Sequence, residues 1–182
     1  MRLHSILPIV IAIALAPAPG HAQEGGPEKT ERRAKISLLY RFISYIEWPP
    51  QAHPLPDAPF VVGVLGAQPL AEELESYVVG RTVHSRPILV RQIRTAAAAR
   101  EVHALFIGRS ESAQLPAAAR AGGHALLVAE WPDALEQGSV INFRTVGGQV
   151  RFEISLPAAQ ARQLKVSSRL LSVSLNAPQL KP

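Results

Sequence analysis

Short apolar runs alternate with helical patterns along the middle of the chain. The runs FVVGVL (60–65), ALFI (104–107) and HALLVA (124–129) are continuous, which is typical of strands covered on both faces. Amphipathic or alanine-rich segments predict helices over residues 69–79, 96–100 and 111–120. Because strand and helix alternate three times, the pattern predicts an α/β fold with a mostly parallel sheet and helices on both faces.

A longer helix is predicted before the first of these runs. Apolar residues recur at three- and four-residue spacing over residues 28–48, and Pro49-Pro50 forces the helix to end. The proline-rich residues 51–59 predict an extended loop. Residues 82–93 alternate loosely around Pro87, which indicates a strand that is interrupted or lies at a sheet edge.

The clearest local pattern covers residues 140–171. Alternating apolar residues predict a strand over 140–145, Gly147-Gly148 predicts a tight turn, and a second strand follows over 150–156. This antiparallel C-terminal hairpin is expected to extend one edge of the sheet. Pro157 starts a predicted helix that ends at residue 164. After a break at 165–166 and a last turn over 167–173, a loose tail is predicted from residue 176.

The first 22 residues are typical of a secretory signal peptide. An apolar segment follows Arg2 and His4 and is too short to span a bilayer, and Gly20-His21-Ala22 fits the small-x-small rule for cleavage. Export to the periplasm with cleavage near Ala22 is therefore predicted. Residues 23–182 are then expected to form one domain. Since the sequence has no cysteine, neither disulfides nor thiol chemistry can contribute.

Charge does not point to a nucleic-acid partner. The chain has 19 Lys and Arg against 14 Asp and Glu, a net charge of +5, and the basic residues are spread along it. Nucleic-acid binding favours clustered basic residues with interleaved aromatics, so no nucleic-acid partner is expected.

The residues that usually perform catalysis are scattered. No histidines fall at metal-ligand spacing, no nucleophile elbow surrounds Ser110, and no phosphate-loop or dinucleotide glycine pattern occurs. We therefore predict no catalytic residues, no metal and no cofactor, and a protein that is not an enzyme.

Two features near the predicted strand ends suggest binding, each with a structural alternative. Arg109 and Ser110 follow the ALFI strand, where ligands often bind in α/β sheets, and either hold an anion or simply begin a helix that Ser110 caps. Trp48 and Trp131 each precede a proline at the end of an element. They either anchor an interface or plug the end of the core.

Three blocks of the sequence resemble a known family. They are KISLLYRFISYIEWP (35–49), residues 60–87 with Gly66, GRTV and RPI, and residues 140–171 with VINF, VRFEISLPAA and LKVSSRLL. In this order and spacing they are similar to the YfiR family of periplasmic regulatory proteins, the DUF4154 domain. The blocks span most of residues 23–182.

The resemblance implies a non-catalytic periplasmic α/β domain, often a homodimer. It implies binding to the periplasmic part of an inner-membrane diguanylate cyclase or sensor as a negative regulator. An OmpA-like outer-membrane lipoprotein that captures the repressor relieves the inhibition in this family, which couples envelope stress to cyclic di-GMP signalling and biofilm formation. Family members frequently hold disulfides, which this cysteine-free chain lacks, and the tail after Leu171 departs from the hydrophobic ending of the family.

The family motif covers Arg151, Phe152, Glu153 and Ile154 on the hairpin and Lys165, Ser167, Ser168, Arg169 and Leu170 near the end. The predicted partner-binding residues are Trp48, Trp131, Arg151, Glu153 and Arg169. The structural alternative is that the apolar motif residues are core and that Glu153 pairs with Arg169 inside the domain. A second function is a small-molecule-binding sensor module that uses the loops around Arg109 and Trp131.

Overall fold

The computed structural model describes residues 26–53, 55, 57–121 and 123–177 of the 182-residue chain. The predicted signal peptide, residues 1–22, and the end of the predicted tail, residues 178–182, lie outside the described residues.

Apart from the two short strands Ile46–Glu47 and Lys165–Val166, which were not predicted, helices and strands follow one another in the order that the apolar pattern predicts. The helices are α1 (Pro27–Tyr45), α2 (Gln68–Val78), α3 (Leu115–Arg120), α4 (Leu156–Ala161) and α5 (Ser168–Ser172). The strands are β1 (Ile46–Glu47), β2 (Phe60–Leu65), β3 (Thr82–Val83), β4 (Arg86–Ile93), β5 (Ala104–Ile107), β6 (Leu126–Ala129), β7 (Ile141–Val146), β8 (Gln149–Ile154) and β9 (Lys165–Val166). Connections contain 3-10 helices at Pro50–Ala52, Ala96–Glu101 and Arg109–Gln114.

The main sheet has the strand order β3-β4-β2-β5-β6-β7-β8. Strands β4, β2, β5, β6 and β7 are parallel neighbours, whereas β3 pairs with β4 and β8 pairs with β7 in the antiparallel direction. The predicted α/β fold, with a mostly parallel sheet and an antiparallel C-terminal hairpin at one edge, is confirmed. A separate pair, β1 with β9, places Ile46 opposite Val166.

Two hydrophobic cores lie on opposite faces of this sheet. The first packs α1, α2, α4 and α5 on one face, and the second packs Ala96–Glu101, α3 and Trp131 on the other. Every residue of β2, β5 and β6 is therefore buried, which explains their continuous apolar runs. Helices on both faces of the sheet are confirmed.

Some predicted elements differ from those observed. The first helix ends at Tyr45 rather than at residue 48, since Ile46 and Glu47 pair with β9, where only a break was predicted. The helix predicted over 111–120 is a 3-10 helix followed by the shorter α3. The strand predicted over 82–93 is interrupted at His84 and Ser85, both at positive φ, and its two parts lie at one edge of the sheet, which agrees with the prediction.

The tail predicted to be loose from residue 176 begins as an ordered segment. The amide of Leu175 donates to the carbonyl of Phe152 at 2.8 Å. The side-chain amide of Asn176 donates to the carbonyl of Ile154 at 2.8 Å and accepts from its N–H at 3.1 Å. These two residues therefore cover part of the outer edge of β8, which the apolar pattern did not indicate.

Candidate functional site

The loops that follow β2 and β5 pack directly on each other at the carboxyl edge of the sheet. The N–H of Gly108 donates to the carbonyl of Leu65 at 2.7 Å, and a Cβ at Gly108 would lie 2.5 Å from the carbonyl oxygen of Gly66. Only glycine permits this approach. The hydroxyl of Ser110 donates to the same Gly66 carbonyl at 3.0 Å. Ser110 therefore joins two loops and does not cap the helix as one alternative held, because the cap position is Gly108.

A partly buried carboxylate connects these loops to α1. Glu130, the residue after β6, contacts Nζ of Lys35 at 2.6 Å, and Lys35 also contacts Glu31 at 2.5 Å. The same Glu130 carboxylate accepts from the N–H of Arg109 at 3.2 Å, and the Glu130 carbonyl accepts from the Arg109 guanidinium at 3.2 Å. The loop of Arg109 and Ser110, for which anion binding was one of two alternatives, thus contacts a carboxylate of the chain itself.

The electrostatics of Lys35 reflect this arrangement. Burial lowers its pKa more than any other single influence. The hydrogen bonds and the negative charges of Glu130 and Glu31 together outweigh burial, so that the pKa is raised above its ordinary value of 10.5. Lys35 therefore stays charged and links α1 to the end of β6.

A groove of about 480 Å³ opens between this cluster and the hairpin. Its charged walls are Glu31, Lys35, Arg109, Glu130 and Arg144, and Trp131, Pro132, Phe143 and Thr145 complete it. Small-molecule sites commonly enclose about 300 to 1,000 Å³. The structure therefore brings Arg109 and Trp131 to one concave surface, as the small-molecule alternative requires.

The hairpin β7–β8 has one buried and one exposed face. Gly147 and Gly148 both have positive φ, as the predicted tight turn requires. On the inner face Phe143 and Phe152 are cross-strand partners, and both rings pack on Phe42 at 5.5 and 4.8 Å between ring centroids. The outer face carries Arg144, Arg151 and Glu153, so the predicted orientation of the second strand is confirmed.

The outer face leaves Arg151 without an ion-pair partner among the described residues. Arg144 lies directly opposite Arg151, and it is Arg144 that contacts Glu153, at 3.3 Å. The predicted alternative of a Glu153–Arg169 pair is wrong, because the Arg169 guanidinium lies over the Tyr45 ring at 5.8 Å. Because this face carries two arginines and one glutamate, it presents a net positive charge to solvent. The two arginines lie opposite each other and repel.

The two tryptophans differ in burial. Trp131 is 7% exposed and packs in the second core, and its indole N–H donates to Gln137 at 3.4 Å, so the core role fits it better than that of an exposed anchor. Trp48 is half-buried, donates from its indole N–H to the carbonyl of His103 at 3.0 Å and contacts Phe60 edge to face. Only part of Trp48 is accessible to a partner.

Sequence reasoning missed the junction formed by Lys35, Glu130 and Arg109. The spacing of Glu31 and Lys35 shows that they lie on one side of a helix. Nothing local indicates that Glu130, 95 residues further along, completes the cluster.

Neither membrane helices nor metal clusters occur in the described part of the chain. None of its helices combines the length and apolar character needed to cross a membrane. Within the same residues, no three side chains of His, Cys, Asp or Glu come together as a possible metal site.

Comparison with models of known protein families shows to which family the chain belongs. The family model for YfiR/HmsC-like proteins (DUF4154) matches residues 32–174, most of the chain. The chain belongs to the YfiR/HmsC-like family. Proteins of this family are periplasmic and in general regulatory rather than catalytic. No curated protein matches the chain significantly. In this YfiR-like chain the matched range includes the whole hairpin and stops before Leu175 and Asn176, which cover the edge of β8.

Proposed function

We propose that this protein is an exported, non-catalytic repressor that binds the periplasmic part of an inner-membrane diguanylate cyclase or a related sensor. Bound in this way, it lowers cyclic di-GMP signalling and biofilm formation. The observation that carries the proposal is the exposed outer face of the β7–β8 hairpin in a chain of the YfiR/HmsC-like family.

Arg151 is the central residue of this proposed contact surface. It is exposed, and no carboxylate of the described residues neutralises it. Arginine is enriched among the residues that dominate binding energy at protein interfaces. An acidic patch on the partner is therefore the chemistry that this face fits.

The edge of β8 adds main-chain groups to the same surface. Leu175 occupies the outward carbonyl of Phe152, and Asn176 occupies the outward N–H and carbonyl of Ile154. By the alternation of antiparallel pairing, the outward N–H and C=O of Val150 lie beside them on the half of the edge that these residues leave uncovered. A partner segment can add there as a short strand, with Arg151 next to it.

The remaining parts of the proposal concern export and assembly. Residues 1–22 direct export and are removed near Ala22. The mature chain forms a homodimer. An OmpA-like outer-membrane lipoprotein competes for the protein and relieves repression.

Complementation in the native host tests the repressor function. Deletion of the gene is expected to raise cyclic di-GMP, and the wild-type gene to restore the lower level. R151E is expected to fail, because it reverses the charge of the contact surface. R94E is the matched control, since Arg94 is also exposed and follows β4 near the other edge of the sheet.

The possible outcomes test the repressor function and the proposed contact surface separately. Unchanged cyclic di-GMP after deletion, in every growth condition, would remove the repressor function. Equal repression by R151E and R94E, both folded by circular dichroism, would leave the function intact but exclude the hairpin face as the contact surface.

The groove beside Lys35 supports a second candidate, a small-molecule-binding sensor module. It encloses about 480 Å³ and combines charged and aromatic walls, as ligand sites do. Thermal unfolding with a panel of small metabolites tests it, with T145W as a variant that fills the groove. A ligand that stabilises the wild type and not T145W supports this function, whereas equal shifts in both proteins contradict it.

A further inference from the structure

A second cavity lies at the opposite, amino end of the parallel strands. It encloses about 410 Å³ between the segment before β2, the side of β4 and the residues that precede β5 and β6. The basic residues in its wall are Arg86, Arg91, Arg100, His53, His103 and His124. The size falls within the range of small-ligand sites, about 300 to 1,000 Å³.

Positive charge in this cavity is not balanced by the chain. Of the residues that line it, Glu101 alone is acidic, against three arginines. The ion pairs formed within the described residues join Arg32, Lys35 and Arg144 to carboxylates, and none involves an arginine of this cavity. A concave wall with an excess of positive charge concentrates its field in the cavity and attracts counter-ions.

Carbonyl groups hold two of the arginines in place without neutralising them. Nη1 of Arg86 donates to the carbonyls of Leu55 and Ala58, both at 2.8 Å. Nε of Arg100 donates to the carbonyl of Ala121. Each guanidinium is thus positioned through one nitrogen, and its other nitrogen atoms are left for a ligand.

Two of the histidines in the wall are uncharged. Nδ1 of His103 accepts from the N–H of Val61 at 2.9 Å, and its Nε2 donates to the carbonyl of Ala52 at 3.0 Å, so the ring is neutral. The His53 ring stacks on it at 4.6 Å, and burial, followed by the charges nearby, lowers the His53 pKa to about 4. At neutral pH these two rings therefore add nothing to the positive charge of the arginines.

We propose that this cavity binds a small oxyanion of the phosphate class, either inorganic phosphate or a phosphomonoester. Three guanidinium groups against one carboxylate leave two positive charges. A phosphomonoester carries about −1.5 to −2 at pH 7, which matches this excess. Planar guanidinium groups form paired hydrogen bonds with phosphate oxygens. This ligand site is separate from the hairpin surface and does not depend on the proposed repressor function.

Thermal unfolding of the full chain in inorganic phosphate or glycerol phosphate, at constant ionic strength, tests the site. At ten times the dissociation constant, Tm is expected to rise by about 3 to 6 °C. R91Q is expected to weaken binding at least tenfold, because Arg91 is an exposed strand residue whose charge faces the ligand. R94Q is the matched control, an exposed arginine outside the cavity.

A variant that is expected to bind phosphate more tightly keeps the test valid even where R91Q lowers the stability of the fold. E101Q removes the carboxylate of the cavity and is expected to tighten phosphate binding several-fold. Phosphate also stabilises proteins by exclusion from their surfaces, and that effect is the same in every variant. Equal Tm shifts in R91Q, R94Q and E101Q would therefore overturn the proposal.

Phosphate groups of lipids are the other source of this chemistry. Flotation with phosphatidylglycerol vesicles separates the two sources. Stabilisation by free phosphate that R91Q weakens, without flotation, supports a small-ligand site. Flotation that depends on Arg91, without any effect of free phosphate, would overturn it.

Discussion

Replacing Arg162 by methionine removes a buried guanidinium that joins three parts of the fold. Arg162 is 5% exposed and donates to the carbonyls of Ala125, Ala118 and Ala119 at 3.3, 3.2 and 3.0 Å. These carbonyls end α3 and precede β6, so the side chain connects both to the end of α4. No carboxylate pairs with it in the described residues, and burial lowers its pKa.

The expected cost follows from these three acceptors. Each buried hydrogen bond to a charged donor contributes about 1.5 kcal/mol, and each carbonyl left without a donor costs about 1 to 3 kcal/mol. Removing the buried charge recovers part of this, because burying a guanidinium without a counter-ion is itself unfavourable. We expect R162M to lower the free energy of unfolding by about 2 to 4 kcal/mol, a large share of the 5 to 15 kcal/mol of a typical domain.

Urea unfolding followed by circular dichroism at pH 7 measures this change. R120M is the control, because Arg120 is exposed on α3 and its loss is expected to change stability by about 0.5 kcal/mol or less. R162K is expected to fall between the two, since one ammonium cannot reach all three carbonyls at once. A loss below about 1 kcal/mol in R162M would refute the reasoning from unsatisfied carbonyls.

Two further predictions concern the C-terminal segment and Lys35. N176A removes both hydrogen bonds to Ile154 and is expected to cost about 1 to 2 kcal/mol and to speed hydrogen exchange of the Ile154 amide. Unchanged exchange there would contradict the assigned role of Asn176. Because the folded pKa of Lys35 is raised, its contribution is complete below pH 10.5 and is lost as pH rises through the folded value. The stability difference between wild type and K35M is therefore expected to shrink above pH 10.5, and a constant difference in urea titrations at several pH values would contradict this.

The sheet could be predicted from sequence because the burial of its strands determines which residues occur at neighbouring positions. Both faces of β2 and β5 are covered, so apolar side chains occupy every position, and the predicted bounds of the two strands are those observed. The hairpin is equally local, since Gly147 and Gly148 define its turn. That turn also sets the register, and the register places Arg144 beside Glu153. The turn is therefore a local signal that favours Arg144 as a partner of Glu153, whereas the position of Arg169 over Tyr45 depends on tertiary packing.

Features that depend on distant partners left no such trace. Ile46 and Glu47 continue the apolar spacing of α1, and only their pairing with Lys165 and Val166 makes them a strand. The same holds for Glu130, whose partner Lys35 lies on another element. Hydrogen bonds between segments about 100 residues apart depend on tertiary packing, which the periodicity of the sequence does not predict.

The two ends of the sheet differ in a way that makes the usual rule for the position of ligand sites a poor guide in this protein. Open α/β sheets commonly bind ligands outside the carboxyl ends of their strands, and Arg109 was proposed on that basis. In this chain Glu130 already contacts Arg109 and Lys35 there, and an external anion has to displace this partly buried carboxylate. At the amino end, Arg86 and Arg100 are held by carbonyls and keep their full charge. Since an anion binds where positive charge is positioned but not neutralised, the amino end is the favoured place for it in this protein.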